Sequence, residues 1–228
     1  MGIPVLILGE SGSGKSCSLR NFEPEEVGIF NVAGKPLPFK KQLKKVNNAK
    51  YGDILKSLSD PKLKTYVIDD SQYLMAFEMF DRAKEVGYNK FTDVALNFRT
   101  LVDRIIRNTP DDVIVYFLHH TETTDTGKVK AKTSGKMLDN QLTLEGLFSI
   151  VLLCKTDGQE HYFETQSDGY STCKSPMEMF DLKIDNDLKM VDTKIREYYE
   201  LTKKEGAKEN EPTKKSWKKS IKTTMERT

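Results

Sequence analysis

The feature that most constrains this chain is a short apolar run that ends in a glycine-rich loop. Residues Ile3–Leu8 read IPVLIL, and residues Gly9–Ser16 read GESGSGKS. A short, almost continuously apolar run is typical of a strand that is buried on both faces of a parallel sheet. Glycines after such a strand let the backbone curl, so that successive amide N–H groups face an anion at the start of a helix. The full match to GxxxxGK[ST], the Walker A pattern, predicts a phosphate-binding loop followed by a helix at residues 16–21.

The residue types of this loop indicate a nucleotide with a metal ion. Lys15 is expected to reach the β- and γ-phosphates of ATP, and the Ser16 hydroxyl is expected to ligate Mg²⁺. We predict nucleotide binding by the whole loop and the residue that follows it: Gly9, Glu10, Ser11, Gly12, Ser13, Gly14, Lys15, Ser16 and Cys17. The alternative, a glycine-rich turn without a ligand, is disfavoured by the flanking strand and helix.

A second motif supplies the acids that a phosphate loop needs. Residues 65–70 read TYVIDD, which predicts a buried strand that ends in Asp69, as a Walker B motif does. The carboxyl ends of parallel strands meet at one edge of a sheet, so Asp69 is expected to hold Mg²⁺ together with Ser16. We predict that Asp70 orients or deprotonates the attacking water. The alternative for both acids is a solvated position at the end of a strand.

A third candidate group ends the apolar strand predicted at residues 113–118. The chain continues with His119, His120 and Thr121, and we predict that one of these polar side chains senses the γ-phosphate. Adjacent strand residues point to opposite faces, so the two histidines do not suggest a metal pair. Glu122 is a further candidate for polarising water, and the alternative is an exposed loop carboxylate.

The alternation of strands and helices predicts an α/β fold. Beyond the segments already named, we predict a strand at residues 27–32, an irregular segment at residues 35–50, and helices at residues 51–58, 71–86, 92–106 and 188–199. Two apolar segments, Leu147–Cys154 and Tyr162–Gln166, flank Asp157-Gly158, which is a hairpin signal. We therefore expect a mostly parallel sheet flanked by helices, with an antiparallel hairpin towards the C-terminus.

The composition indicates in which cellular compartment the protein is expected. Apolar residues make up 37% of the chain, and no apolar run approaches the roughly 18 residues of a membrane helix, so we expect no membrane contact. We expect no secretory leader, because the first apolar run leads directly into the glycine loop. Cys17, Cys154 and Cys173 lack CxxC spacing, which favours reduced thiols in a cytoplasmic setting over disulfides or a zinc site.

Charge divides the chain into two regions. Residues 203–228 contain nine Lys or Arg and four Glu, a charge of +5, which leaves residues 1–202 at −3 of the net +2. We predict a nucleotide-binding domain over residues 1–202 and a basic, disordered tail over residues 203–228.

Two basic segments suggest single-stranded DNA as a partner. Residues 121–137 have few apolar anchors, which predicts a mobile loop, and its lysines could each neutralise a phosphate: Lys128, Lys130, Lys132 and Lys136. The tail sequence KKSWKKS places Trp217 between lysine pairs, which suits base stacking. The alternatives are a solvated loop and a solubilising tail. One loop lysine could instead act on the γ-phosphate of a neighbouring copy, which would require a homo-oligomer.

Together these segments resemble a known family. GESGSGKS near the start, VIDDSQ, the strand-end HHTET, the lysine-rich loop and IDNDLKMVDTKIREYY are similar to phage-encoded P-loop nucleotide-binding proteins with a RecA-like core. These are small ATPases associated with phage DNA recombination and single-strand annealing. The resemblance covers about residues 1–200. It implies a RecA-like sheet, ATP and Mg²⁺ at Lys15, Ser16 and Asp69, and DNA contact by the lysine-rich loop. It also implies phage recombination or replication proteins as partners, in the cytoplasm of the host cell.

One departure from the RecA-like pattern bears on catalysis. Such recombinases carry a catalytic Glu just after the second strand, whereas this chain reads FNVAGKPLPFK there, with Asn31 and no acid. Asp70 or Glu122 would have to substitute, or hydrolysis would be slow. Two other functions therefore remain open: a non-catalytic binding or loader module controlled by ATP, and a P-loop kinase. The kinase is disfavoured because residues 121–137 contain no arginine that could close over an acceptor.

Overall fold

The computed structural model describes residues 1–134 and 143–201, which form a mixed β-sheet with helices on both faces. Within these residues the strands are β1 (Ile3–Gly9), β2 (Val27–Asn31), β3 (Lys45–Asn47), β4 (Thr65–Asp69), β5 (Ile114–Thr123), β6 (Val129–Ala131), β7 (Ile150–Asp157), β8 (Glu160–Glu164) and β9 (Lys183–Asp185). The α-helices are α1 (Tyr51–Ser59), α2 (Gln72–Asp81), α3 (Asn89–Asn108) and α4 (Leu188–Tyr198). Short 3₁₀ helices span Ser16–Asn21 and Leu144–Leu147.

The strand order confirms an α/β fold with a mostly parallel sheet. The order is β3-β2-β4-β5-β1-β7-β8-β9. All neighbouring pairs from β3 to β7 are parallel, whereas β8 pairs antiparallel with both β7 and β9. The β7–β8 pair is the hairpin predicted around Asp157-Gly158. The short strand β6 pairs antiparallel with the end of β5.

The central strands are buried on both faces, which explains their continuous apolar sequence. Because side chains alternate along a strand, Leu6 and Leu8 of β1 pack on one face, and Val5 and Ile7 pack on the other. The first face is covered by α1, α2 and α3, and the second by α4 and the segment Ser16–Phe22. A sheet held from both sides gives the carboxyl ends of its strands fixed positions.

Those carboxyl ends bring the candidate residues to one edge of the sheet. Strand β5 lies between β1 and β4, so its polar end is beside the strand that carries Asp69. In the β1–β5 register Gly9 lies opposite His120, so the glycine loop starts where the polar end of β5 begins. Asp69 is the last residue of β4. The edge therefore combines the loop, the acids and the histidines.

Several element boundaries differ from those predicted. The helix after the loop is a single 3₁₀ segment of six residues, because Pro24 follows closely and cannot continue a helix. Helix α2 ends at Asp81 instead of residue 86, where Arg82 turns to bond Glu85 and Asp93. The predicted irregular segment at residues 35–50 contains β3, which pairs with the outer side of β2.

The prediction of a mobile loop over residues 121–137 is wrong for its first part. Residues 121–131 form a hairpin, here called the β5–β6 hairpin, in which Thr121 pairs with Ala131 and Thr123 with Val129. Gly127 has φ of 80°, which lets the chain reverse within the turn. The buried Ala131 and the partly buried Val129 anchor the hairpin, although the segment has few apolar residues.

Some expectations fall on residues that are not described. The basic tail at residues 203–228, with Trp217, lies outside the described residues, as does Lys136. In the described ranges no helix is both long enough and apolar enough to cross a membrane. Cys17, Cys154 and Cys173 are free thiols.

We predict that Phe98→Ala destabilises the protein by about 3–5 kcal/mol, because it leaves a cavity beneath the sheet. Phe98 of α3 is fully buried, and its ring lies 5.8 Å from the rings of both Phe117 and His119. Urea unfolding measures the change. Phe80→Ala is the matched control, because Phe80 is 76% exposed and its loss should cost less than about 0.5 kcal/mol. Similar losses for both variants would contradict this packing.

Candidate nucleotide-binding site

A cleft of about 250 Å³ lies at the carboxyl edge of the sheet, over the glycine loop. Most of the side chains predicted for phosphate and metal contact line it: Lys15, Ser16, Cys17, Asp69, Asp70 and His120. Within the loop, Ser11, Gly12 and Gly14 also face the cleft, whereas Glu10 and Ser13 line a neighbouring groove. The structure therefore brings together residues from three separate predicted motifs.

Two glycines of the loop have positive φ angles, which are compatible with an anion cradle. Gly12 has φ of 82° and Gly14 has φ of 100°, and such alternation lets N–H groups from successive residues converge. A Cβ atom at Gly14 would lie 2.8 Å from Nδ1 of His161, so a larger residue does not fit there. The N–H of Ser13 donates to the Glu10 carbonyl at 3.2 Å, which closes the turn.

Lys15 is held against its own loop. Its Nζ donates to the carbonyls of Gly9 at 2.7 Å and Glu10 at 2.8 Å. The side chain is buried, and burial lowers the pKa of the ammonium group below its ordinary value, although nearby Asp70 and Asp69 partly offset this effect. A buried ammonium group that is satisfied by two neutral carbonyls is well suited to contact an anionic ligand.

The hydroxyl of Ser16 donates to Oδ1 of Asp69 at 2.8 Å, although the two residues lie 53 positions apart. Asp69 is buried, and burial raises the pKa of its carboxyl group, while the bond from Ser16 opposes that rise. Both side chains offer oxygen atoms, which Mg²⁺ prefers, and Mg²⁺ retains water and phosphate oxygens as its other ligands. The pair fits the role predicted for it, even though the described residues contain no cluster of three or more His, Cys, Asp or Glu that could hold a metal.

Asp70 is engaged through both carboxylate oxygens. Oδ1 lies 3.0 Å from Nε2 of His120, and Oδ2 accepts from Nζ of Lys35 at 2.9 Å. Burial alone would raise the pKa of Asp70, but the hydrogen bonds with His120 and Lys35 outweigh it, and the pKa lies below its ordinary value. The residue has φ of 58°, a left-handed conformation that residues other than glycine rarely adopt.

The two adjacent histidines have different environments. His120 lines the cleft, whereas His119 lies behind the sheet edge and is fully buried. Nε2 of His119 donates to the Lys132 carbonyl at 2.8 Å, and Nδ1 lies 2.9 Å from the hydroxyl of Ser71. Because burial lowers the pKa of His119 to about 4, the ring is neutral and serves to join the β5–β6 hairpin to the start of α2. Of the predicted γ-phosphate sensors, His120 is the one that faces the cleft.

Thr121 and Glu122 lie next to the cleft but do not line it. Oγ1 of Thr121 is buried without a hydrogen-bond partner among the described residues, in a groove shared with Lys35 and His120. Glu122 pairs with Lys130 across the β5–β6 hairpin at 2.9 Å. A carboxylate held in this way is poorly placed to act as the water-activating group.

The lysines predicted to contact DNA lie along the β5–β6 hairpin and just beyond it. Lys128 and Lys132 are exposed, whereas Lys130 is partly buried beside Glu122. The hairpin turn is closed by the N–H of Thr124, which donates to the Lys128 carbonyl at 2.9 Å. Lys128 on the hairpin and Lys132 just after it are thus exposed, and Lys132 lines a groove next to the cleft.

Three residues of the site were not anticipated from the sequence. His161 on β8 covers the loop, with Nδ1 2.8 Å from the Ser13 carbonyl. Lys35 reaches Asp70 from the segment after β2. Asn31, at the end of β2, donates to the Lys35 carbonyl at 2.6 Å and to Asn47 at 2.9 Å. None of them stands in a recognisable motif, and the unusual amide at Asn31 was the one local signal.

We predict that replacing His119 with Gln removes part of the acid sensitivity of folding. In the unfolded chain the pKa is about 6.5, so stability from the buried neutral ring is complete above that pH and is lost as the pH falls towards about 4. Between about pH 7 and about pH 4.5, wild type should lose about 2 kcal/mol more unfolding free energy than His119→Gln in urea titrations. The control Phe80→Ala, which changes an exposed side chain that does not titrate, should keep the wild-type pH dependence. Parallel pH curves for wild type and His119→Gln would contradict the prediction.

The cleft is lined by residues of the glycine loop together with two lysines, two aspartates and two histidines. Such a set can bind a polyphosphate, hold a divalent cation by oxygen ligands and orient a water molecule. Neither a scan against models of known protein families nor a search of curated proteins found a match to this chain.

Proposed function

We propose that this protein binds ATP with Mg²⁺ and hydrolyses it slowly, as a RecA-like P-loop ATPase. The single observation that carries the proposal is the bond between Ser16 and Asp69, beside the buried Lys15. A strand-end carboxylate paired with the hydroxyl after a GK sequence is the arrangement by which phosphate-loop proteins hold Mg²⁺. The order in which β5 separates β1 from β4 supports the same proposal, because it places a polar strand end between the loop and the acids.

Each group would have a distinct role with ATP. The loop N–H groups and Lys15 bind the phosphates, and Ser16 and Asp69 hold Mg²⁺, which would neutralise phosphate charge when bound. Asp70 takes a proton from water as the water oxygen bonds to the γ-phosphorus, and the bond to the β–γ bridging oxygen breaks to release ADP. His120, hydrogen-bonded to Asp70, orients that carboxylate.

From the same geometry we expect slow hydrolysis of ATP. Both oxygens of Asp70 are already engaged, and its lowered pKa makes it a weak base. The end of β2 carries Asn31, which bonds to backbone and amide groups and cannot accept a proton. Glu122 is paired with Lys130. We therefore propose that the function depends on whether ATP or ADP is bound more than on the rate of hydrolysis.

We further propose that ATP controls a grip on single-stranded DNA in phage recombination or replication. Lys128 of the β5–β6 hairpin is exposed, and Lys132 just after it is exposed in a groove next to the cleft. His119 links the Lys132 carbonyl to Ser71, which follows Asp70. A change in the contacts of Asp70 is therefore connected to the hairpin through Ser71 and His119. Phage replication or recombination proteins in the host cytoplasm are the partners that this function requires.

A non-catalytic binding or loader module is the second candidate, and the engaged Asp70 favours it. ATP turnover with and without single-stranded DNA separates the candidates. Stimulation by DNA supports the ATPase, and tight ATP binding without turnover supports the loader. Phosphate transfer to an added acceptor would point instead to a kinase.

We predict that Lys15→Ala weakens ATP binding about 100-fold, because the phosphates lose a charged donor in a buried site. Binding of a fluorescent ATP analogue by anisotropy measures the loss. Lys62→Ala is the control, because Lys62 is exposed and bonds Asp60 away from the cleft. If Lys15→Ala bound ATP with the wild-type affinity, the loop would not be the nucleotide-binding site.

We predict that the double variant Lys128→Ala/Lys132→Ala weakens binding of single-stranded DNA. Each lost phosphate contact should reduce the slope of log affinity against log salt by about 0.7. The charge-matched control Lys62→Ala/Lys194→Ala removes two exposed lysines that do not line the cleft. Equal salt slopes in the two double variants would exclude the hairpin as a DNA contact.

A further inference from the structure

Lys35 lines the cleft, although it comes from the segment after β2, which contains no recognised motif. Its Nζ lies 2.9 Å from Oδ2 of Asp70 and 5.2 Å from the centre of the Tyr73 ring. The side chain is nevertheless 59% exposed. A largely exposed lysine side chain that is paired with one carboxylate can change partners at little cost.

The backbone that carries Lys35 is well fixed. The carbonyl of Lys35 accepts from Asn31, whose side-chain amide also bonds Asn47. Gly34 has φ of 69°, and a Cβ there would lie 2.4 Å from Oδ1 of Asn48, so this tight turn needs glycine. The turn fixes the backbone of Lys35 at the cleft, so a change of partner needs only a movement of the side chain.

The charges of the cleft limit which group can meet a terminal phosphate. Among the described residues that line the cleft, the lysines are Lys15 and Lys35, and none is an arginine. Lys15 lies at the loop, beside the carbonyls of Gly9 and Glu10, whereas Lys35 lies beside Asp70. A terminal phosphate near Asp70 would place two anions close together in a poorly hydrated cleft, which is costly unless a cation lies between them.

We propose that Lys35 binds the γ-phosphate of a nucleoside triphosphate, and that the phosphate draws it away from Asp70. This inference rests on the proposed nucleotide site and gives it a γ-phosphate ligand from the same chain. Lys35 would supply the cation that other phosphate-loop enzymes receive as an arginine finger, so no neighbouring copy is needed for it.

Movement of Lys35 has a direct consequence at Asp70. When Nζ leaves, Oδ2 becomes available to a water molecule, while Oδ1 keeps its contact with His120. The same ammonium group therefore restrains Asp70 without a triphosphate and releases it when the triphosphate binds. A diphosphate lacks the group that attracts Lys35, so Asp70 stays engaged.

The test is the ratio of affinities for a non-hydrolysable ATP analogue and for ADP. Wild type, Lys35→Ala and Lys35→Met are compared by calorimetry with Mg²⁺, and Lys35→Met keeps most of the apolar stem. We expect both variants to bind the ATP analogue at least about tenfold more weakly, with ADP affinity changed less than about twofold. Lys35→Arg should recover part of the preference, because it restores the charge.

Lys44→Ala is the matched control. Lys44 lies in the same segment, is 64% exposed and pairs with Glu25 at 3.7 Å outside the cleft. It should keep the wild-type ratio. If Lys35→Ala and Lys35→Met keep the wild-type ratio, or weaken both nucleotides equally, Lys35 does not bind the γ-phosphate, while the nucleotide site itself stands. If wild type binds neither nucleotide, the proposed function fails together with this inference.

Discussion

The candidate site depends on the hydrogen bond between the hydroxyl of Ser16 and the carboxylate of Asp69. This bond joins the loop after β1 to the end of β4 across the intervening strand β5. It can form only because all three strands are parallel and buried on both faces, which fixes where each of them ends. The loop, the acid and the polar end of β5 thus share one edge, and the cleft follows from that geometry.

Charge balance is the second constraint on this cleft. Two lysines and two aspartates lie within it, and each is held by a specific partner: Lys15 by carbonyls, Asp69 by Ser16, and Lys35 by Asp70. Buried charges are tolerated when they are paired in this way, and a polyphosphate with a divalent cation would require these pairs to rearrange. The Lys35 side chain is largely exposed, so among these charged groups it is the one best able to change its partner.

The histidine pair shows how one strand divides structural and chemical roles. His119 and His120 are neighbours in sequence, but alternation along β5 buries the first and directs the second into the cleft. His119 connects Ser71 with the Lys132 carbonyl, so it joins the region of Asp70 to the β5–β6 hairpin. The hairpin is consequently part of the folded domain, and Lys132, the residue after it, lines a groove next to the cleft.

The sequence by itself determined the α/β class, the buried strands and the antiparallel hairpin of β7 and β8. It also placed the glycine loop after the first strand and Asp69 at the end of a later one. These features follow from local patterns of apolar residues, glycine and charge. The sequence did not show that residues 121–131 pair as a hairpin, that His119 is buried, or that Lys35 and His161 belong to the cleft. The hairpin is a local pairing whose segment has few apolar residues, whereas the other facts arise from contacts between residues far apart in the chain. Only the packing of the whole sheet decides which distant side chains meet at its edge.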